Sequence, residues 1–415
     1  MFLVSSCAKV PGIIPAASIA AMAPSVFITV WKTNNAGTSS SNQIKLPLVS
    51  GAAYNFIADW GDGSRDIITT WNDPLTTHTY VTPGTYTVTL TGTLEQFIFN
   101  NAGDILKILQ ITQWGTNPWT TMARAFRGCA NLTIPAEDAP NLANVTDLTY
   151  MFRGMTSFNQ SIDHWNISTV KTIYGLFFGA TTFNQPLNNW NTSNVTDMSG
   201  AFYGATNFNR PLDQWDTRKV TTFGNMFTNA TAFNQPLNDW DTPSVTSLYQ
   251  MFYNASNFNQ DLNHWDVSHV TDMGTVFLNA TAFNGDIGQW NVSSVTNMSN
   301  MFENAVHFNR NIGTWTTSNL THTGNMFAGA TSFNQDIGAW YMTKVTNTRY
   351  MFSGATAFNQ NISSWDVQIV TNMDRMFLNA TSFNQDLSGW DVDLVTIFTS
   401  FSTGATAWVL AKPVF

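Results

Sequence analysis

Val295-Thr296-Asn297-Met298-Ser299-Asn300-Met301-Phe302-Glu303-Asn304-Ala305-Val306-His307-Phe308-Asn309-Arg310-Asn311-Ile312-Gly313-Thr314-Trp315-Thr316-Thr317-Ser318-Asn319 is one copy of a pattern that returns every 25 residues. Its tryptophan recurs without an insertion at Trp165, Trp190, Trp215, Trp240, Trp265, Trp290, Trp315, Trp340, Trp365 and Trp390. A fixed period of this size marks a stack of coils, each of which buries its apolar face only against its neighbours. Within a copy, Val295, Met298, Met301, Phe302 and Ala305 fall at helical spacings, and Thr296 is placed to cap a short helix. Phe308, Ile312 and Trp315 then anchor a strand and a corner that lead back to the next coil. The predicted coil is a helical turn or two, one short strand and a tryptophan-bearing corner.

Aligned copies form columns. Phe308 and its counterparts, from Phe158 to Phe383, are expected to stack about 4.8 Å apart if the strands form a parallel ladder. The tryptophans are read as a second buried column rather than a sugar-stacking platform, because one stands in the same phase of every coil. A third column is Asn159, Asn184, Asn209, Asn234, Asn259, Asn284, Asn309, Asn334, Asn359 and Asn384. An amide at a coil corner both donates and accepts, so this column is read as a structural ladder.

Ahead of the repeats, VFITVW, AYNFIADW, GTYTVTLTG and EQFIFN within residues 25–100 read as strands, being rich in β-branched and aromatic residues between Gly, Asn, Asp and Pro turns. Asp59-Trp60-Gly61-Asp62-Gly63-Ser64, followed by His78-Thr79-Tyr80 and Pro83-Gly84-Thr85-Tyr86-Thr87-Val88, resembles the polycystic-kidney-disease (PKD) domain. The aromatic that this family carries between Trp and Gly is absent. The resemblance implies a small immunoglobulin-like sandwich that spaces or presents other domains. Asp59 and Asp62 suggest either a calcium site or, the preferred reading, a turn whose carboxylates cap backbone N–H groups. Residues 101–121 are a transition whose ILKILQITQW stretch is compatible with a strand that begins or closes the repeat stack.

Composition narrows the function classes. Charged residues are 10 % of the chain, aromatics are 14 %, and the net charge is −9 without any cluster of Lys or Arg. Binding to nucleic acid needs phosphate-neutralising cations, so no nucleic-acid partner is expected. Two cysteines, Cys7 and Cys129, make no disulfide framework, and Cys129 is read as a small core residue. No apolar run reaches the roughly 20 residues that span a bilayer, so no transmembrane segment is expected. Residues 1–24 are apolar and small with an Ala21-Met22-Ala23 box, which fits a signal peptide or a docking arm on a neighbouring subunit.

No catalytic or metal-binding constellation stands out, and no cofactor is expected. His78, His164, His264, His269, His307 and His322 occupy different phases of the pattern, and the HExxH, P-loop, CxxC and GxSxG signatures are all absent. The candidate binding face is the row after the asparagines: Gln160, Gln185, Arg210, Gln235, Gln260, Arg310, Gln335, Gln360 and Gln385, with Gly285 interrupting it. Such amides suit contact with glycan or protein, or simply keep the face wet.

Ala125-Phe126-Arg127-Gly128-Cys129-Ala130-Asn131-Leu132-Thr133-Ile134-Pro135 is similar to the core of BspA-like leucine-rich repeats, and the units that follow resemble the tryptophan-bearing variant found in mycoplasma-type surface lipoproteins. The resemblance covers about 122–408 and implies a right-handed leucine-rich-repeat-like solenoid, surface display and adhesion, and no enzyme. The expected architecture is thus mixed: the sandwich over 25–100, a transition and N-terminal cap over 101–121, the solenoid over 122–404 and a C-terminal cap or contact segment over 405–415. The expected function is adhesion or recognition of a protein or glycan at an extracellular or cell surface. The rival is a structural subunit of a virion surface or self-assembling filament, whose partners are copies of itself or other particle subunits.

Overall fold

The computed structural model describes residues 25–415. The signal-peptide or docking-arm reading of residues 1–24 lies outside them. The N-terminal region is strand-rich: β1 (Val26–Lys32), β2 (Gln43–Lys45), β3 (Tyr54–Asp59), β4 (Arg65–Ile68), β5 (Thr77–Thr79), β6 (Thr85–Leu94) and β7 (Ile108–Gln113). They form a five-stranded sheet in the order β4-β3-β6-β1-β7 and a two-stranded sheet, β2-β5. Alternation sets the inner face: Phe27, Thr29 and Trp31 of β1 and Tyr54, Phe56 and Ala58 of β3 are buried. Asp104 and Lys107, both fully buried, tie the 38–45 loop to this sheet. Asp104 accepts from the backbone N–H groups of Ser39 and Lys45, while Lys107 Nζ donates to the carbonyls of Ser39, Ser40 and Gln43. Every donor and acceptor is matched, yet burial still pulls the Lys107 ammonium below its ordinary range, with Asp104 opposing.

One predicted strand is missing. EQFIFN has the burial rhythm of a strand, with Phe97 and Phe99 inside, but its hydrogen bonds leave the sheet. The amides of Phe99, Asn100 and Asn101 donate to the carbonyls of Ala125, Arg124 and Arg127 in the first repeat. β7 also joins the two regions: it pairs with β1 on one side, and Gln110 bridges Thr133 in parallel on the other. A single buried core runs from Phe27 to Trp408.

The repeats contain neither the short helix nor the Phe-to-Trp strand expected of them. Each is a chain of tight turns. In the copy quoted above, Met301, Glu303, Ala305 and Phe308 donate to the carbonyls three residues earlier. The reason is two left-handed residues per copy, here Asn300 (φ 60) and Asn304 (φ 57), which a right-handed helix cannot contain. The amides between these turns point along the stack instead. Met298, Asn300, Phe302 and Asn304 donate to His322, Gly324, Met326 and Ala328 of the next copy at 2.7–2.9 Å. The parallel bridges lie here, as at Asp272–Asn297 and Asn297–His322, not beside the phenylalanines. Thr296 caps no helix. Its hydroxyl donates to Thr271 O, and Asn297 Oδ1 accepts from Ser299 N to shape the first turn.

Rings fill the interior. Phe308 stacks on Phe283 and Phe333 with centroids 5.8 and 5.9 Å apart, wider than the expected 4.8 Å because near-parallel rings slip into offset stacking. Phe302 inserts against Phe308 at 3.9 Å, adding a second phenylalanine column. At the far end, Trp408 meets Phe383 edge-on at 4.7 Å, and Phe398 stacks on Phe415.

Candidate binding surface

The tryptophan column is buried, each ring 1–5 % exposed. Trp290 and Trp315 lie 6.3 Å apart and nearly parallel, and each indole donates to a carbonyl of the preceding copy, as Trp290 Nε1 does to Leu262 O at 2.7 Å. These rings are closed to any ligand. The asparagine column stands at the surface and links copies through one geometry: Asn284 Oδ1 accepts from Asn309 N at 3.0 Å, and Asn309 Oδ1 accepts from Asn334 N at 3.0 Å.

The candidate row leans on that column. Gln185, Gln235, Gln260, Gln335, Gln360 and Gln385 each donate Nε2 to the asparagine Oδ1 of the copy before, at 2.8–3.2 Å. Arg210 and Arg310 donate Nε to Asn184 O and Asn284 O. Gln160, the first of the row, makes no such bond, and its Oε1 is buried without a partner. The row's amide donors are thus largely spent within the ladder: Gln260, Gln335, Gln360 and Gln385 make two Nε2 bonds each and Gln185 and Gln235 one. Six of its glutamines are half-buried and hold Nε2 in the ladder.

At the Asp59–Ser64 turn, both carboxylates are engaged. Asp59 Oδ1 accepts from Gly61 N and its Oδ2 pairs with Arg65 Nε; Asp62 Oδ1 accepts from Ser64 N and its Oδ2 lies 2.9 Å from His78 Nε2. Burial pushes the Asp62 carboxyl up, but hydrogen bonds from Ser64 and His78 outweigh it and hold it at about 2. His78 is fixed by stacking on Trp60 at 4.6 Å. Among the described residues no cluster of His, Cys, Asp or Glu is arranged to hold a metal ion. The Cys129 thiol is fully buried, and burial pushes it well up from its ordinary range.

Sequence reasoning missed a different feature. Two glycines, Gly175 and Gly200, stand where the other repeats from Tyr150 to Ser400 carry a side chain. They open a cleft of about 230 Å3 walled by Tyr174, Phe178 and Tyr203. Comparing residues at that phase would have found it.

This geometry defines a tandem-repeat protein in which 25-residue turn units are joined to a strand-rich N-terminal region. The chain belongs to the family described as "Mycoplasma protein of unknown function, DUF285", which matches residues 95–209, 184–277, 260–356 and 335–410. No curated protein and no solved structure matches it. No helix among the described residues is long and apolar enough to cross a membrane.

Proposed function

We propose that the protein is a non-enzymatic recognition or adhesion protein displayed at an extracellular or cell surface. In this reading the repeats form a right-handed, BspA-like solenoid, and the N-terminal strands are a PKD-like module that spaces it from its attachment. The observation that carries the reading is the glutamine row. In six of the glutamines Nε2 is tied to the preceding asparagine, so the side chains are oriented before any ligand arrives, which lowers the entropic cost of binding. A row of pre-oriented amides, with Arg210 and Arg310 among them, suits the hydroxyl and amide groups of a glycan or protein. Binding of the whole chain to arrayed glycans and surface proteins tests this, with Gln335→Ala and Gln360→Ala as row variants. Retention of ligand by both variants together would count against the row.

A second reading, a structural subunit of a virion surface or filament, is favoured by the C-terminal end. Leu394, Ile397, Phe398, Val409, Leu410, Val414 and Phe415 are all exposed there, and Phe398 stacks on Phe415; exposed apolar side chains gathered in this way suit an interface. Light scattering across a concentration series separates the two: a monomer throughout removes the assembly reading.

A further inference from the structure

The cleft over Gly175 and Gly200 occurs once in the array. Tyr174 forms one wall, and Phe178 and Tyr203, stacked at 4.2 Å, form the other; Asn225 stands at one end. The Tyr150 ring closes the opposite end: a Cβ on Gly175 would lie 2.2 Å from it. Arg153 sits 4.4 Å from the Phe178 centroid and 4.6 Å from that of Tyr150. Among the described residues it has no ion-pair partner. We propose that this cleft binds a single uncharged hexopyranose ring.

Three features select that ligand. The volume of about 230 Å3 is below the roughly 300–1,000 Å3 of sites that enclose larger ligands, and one six-membered ring fits it. The walls are apolar and aromatic; with Phe178 covered by Arg153 and Tyr203, the Tyr174 ring and the Tyr203 face turned away from Phe178 are left for the C–H face of a pyranose, while Asn225 and the tyrosine hydroxyls supply polar groups for its hydroxyls. The charges near the cleft oppose one another: the Tyr174 hydroxyl is raised first by its hydrogen bond with Tyr150, then by burial, with Asp197 adding to the rise and Arg153 opposing it. A cation finds Arg153 already on the ring faces, and an anion finds Asp197. A proline-rich segment needs a groove open at both ends, which Tyr150 denies it.

The proposal deepens the recognition reading but puts the ligand on a different side of the repeat from the glutamine row. The test uses the full chain and the methyl glycosides of glucose, galactose and mannose, with methyl glucuronide and a proline-rich peptide as competing probes, and binding is read by saturation-transfer NMR and titration. Gly200→Asn fills the cleft with the residue that Asn225 and Asn300 already place there in a left-handed conformation, so folding is preserved. Tyr203→Ala removes half of one wall. The expected result is binding of at least one methyl hexopyranoside, weakened about tenfold or more by either variant and unchanged by Gln335→Ala. No binding to any of the three overturns the proposal, as does equal binding by the Gly200→Asn variant or preference for methyl glucuronide or a proline-rich peptide. Binding that survives Gly200→Asn and is lost on Gln335→Ala overturns the cleft while leaving the recognition reading in place.

Discussion

Replacing Trp290 separates two contributions of the tryptophan column. Trp290→Phe keeps a ring between Trp265 and Trp315 but deletes the 2.7 Å bond from Nε1 to Leu262 O. That carbonyl still accepts from Trp265 N, so it is not left orphaned, and the lost bond costs about 1 kcal/mol. The smaller ring gives up on the order of 40 Å2 of buried surface, another ~1 kcal/mol at roughly 25 cal/mol per Å2. The sum is about 2 kcal/mol. Trp290→Ala empties the site and costs about 3–5 kcal/mol. Urea unfolding followed by far-UV circular dichroism measures both. Equal losses for the two variants would refute the division into bond and ring, and no loss for either would refute the column as core.

The left-handed positions give a second expectation: Asn304→Ala, at φ 57, destabilises by about 1–2 kcal/mol in thermal melts, whereas Asn304→Gly, though it loses the bond to Asn279, costs less. Gly285→Ala places a Cβ 2.0 Å from Gln260 O, so the backbone shifts and stability falls by about 1–3 kcal/mol in the same melts. The Asp62 carboxyl titrates at about 2 in the folded chain against an ordinary 3.8. Its contribution is therefore present above pH ~4 and lost as pH falls toward 2; with solvent screening it amounts to about 1 kcal/mol or less, and Asp62→Asn flattens that part of the stability profile.

The period and the residues that line the interior were legible because burial leaves a compositional trace at every copy: Phe308, Trp315 and Ala305 are apolar or small in every coil. The backbone path was not. The apolar spacing of Met298, Met301 and Phe302 mimics a helix, and only the alternation of Gly and Asn at positions such as Gly154, Asn254, Asn304 and Gly354 betrays the left-handed turns. Asn297, whose short amide folds the first turn, carries no apolar or periodic signal of that role. β2 and β5 escaped because three residues are too few for a period to register. In the candidate row, the sequence marked Gln335 as a surface amide but gave no sign that its Nε2 is already used by Asn309 of the copy before. The cleft was hidden for the opposite reason: it is made by what two glycines lack.

The main-chain bonds between repeats are directional. At one junction, the amides of Thr348, Tyr350, Phe352 and Gly354 all donate toward the following copy, against one that runs backward, from Thr371 to Thr346. The peptide dipoles therefore do not cancel; they add along the stack, as they do along a helix. The repeat array carries an axial electric polarity, and its positive pole lies at the last copy, where the amides of Phe398, Ser400, Ser402 and Gly404 have no main-chain acceptor among the described residues. Amides of one copy thus mostly face carbonyls of the next, and this one-way excess fixes the sense in which the copies stack within a chain of net charge −9.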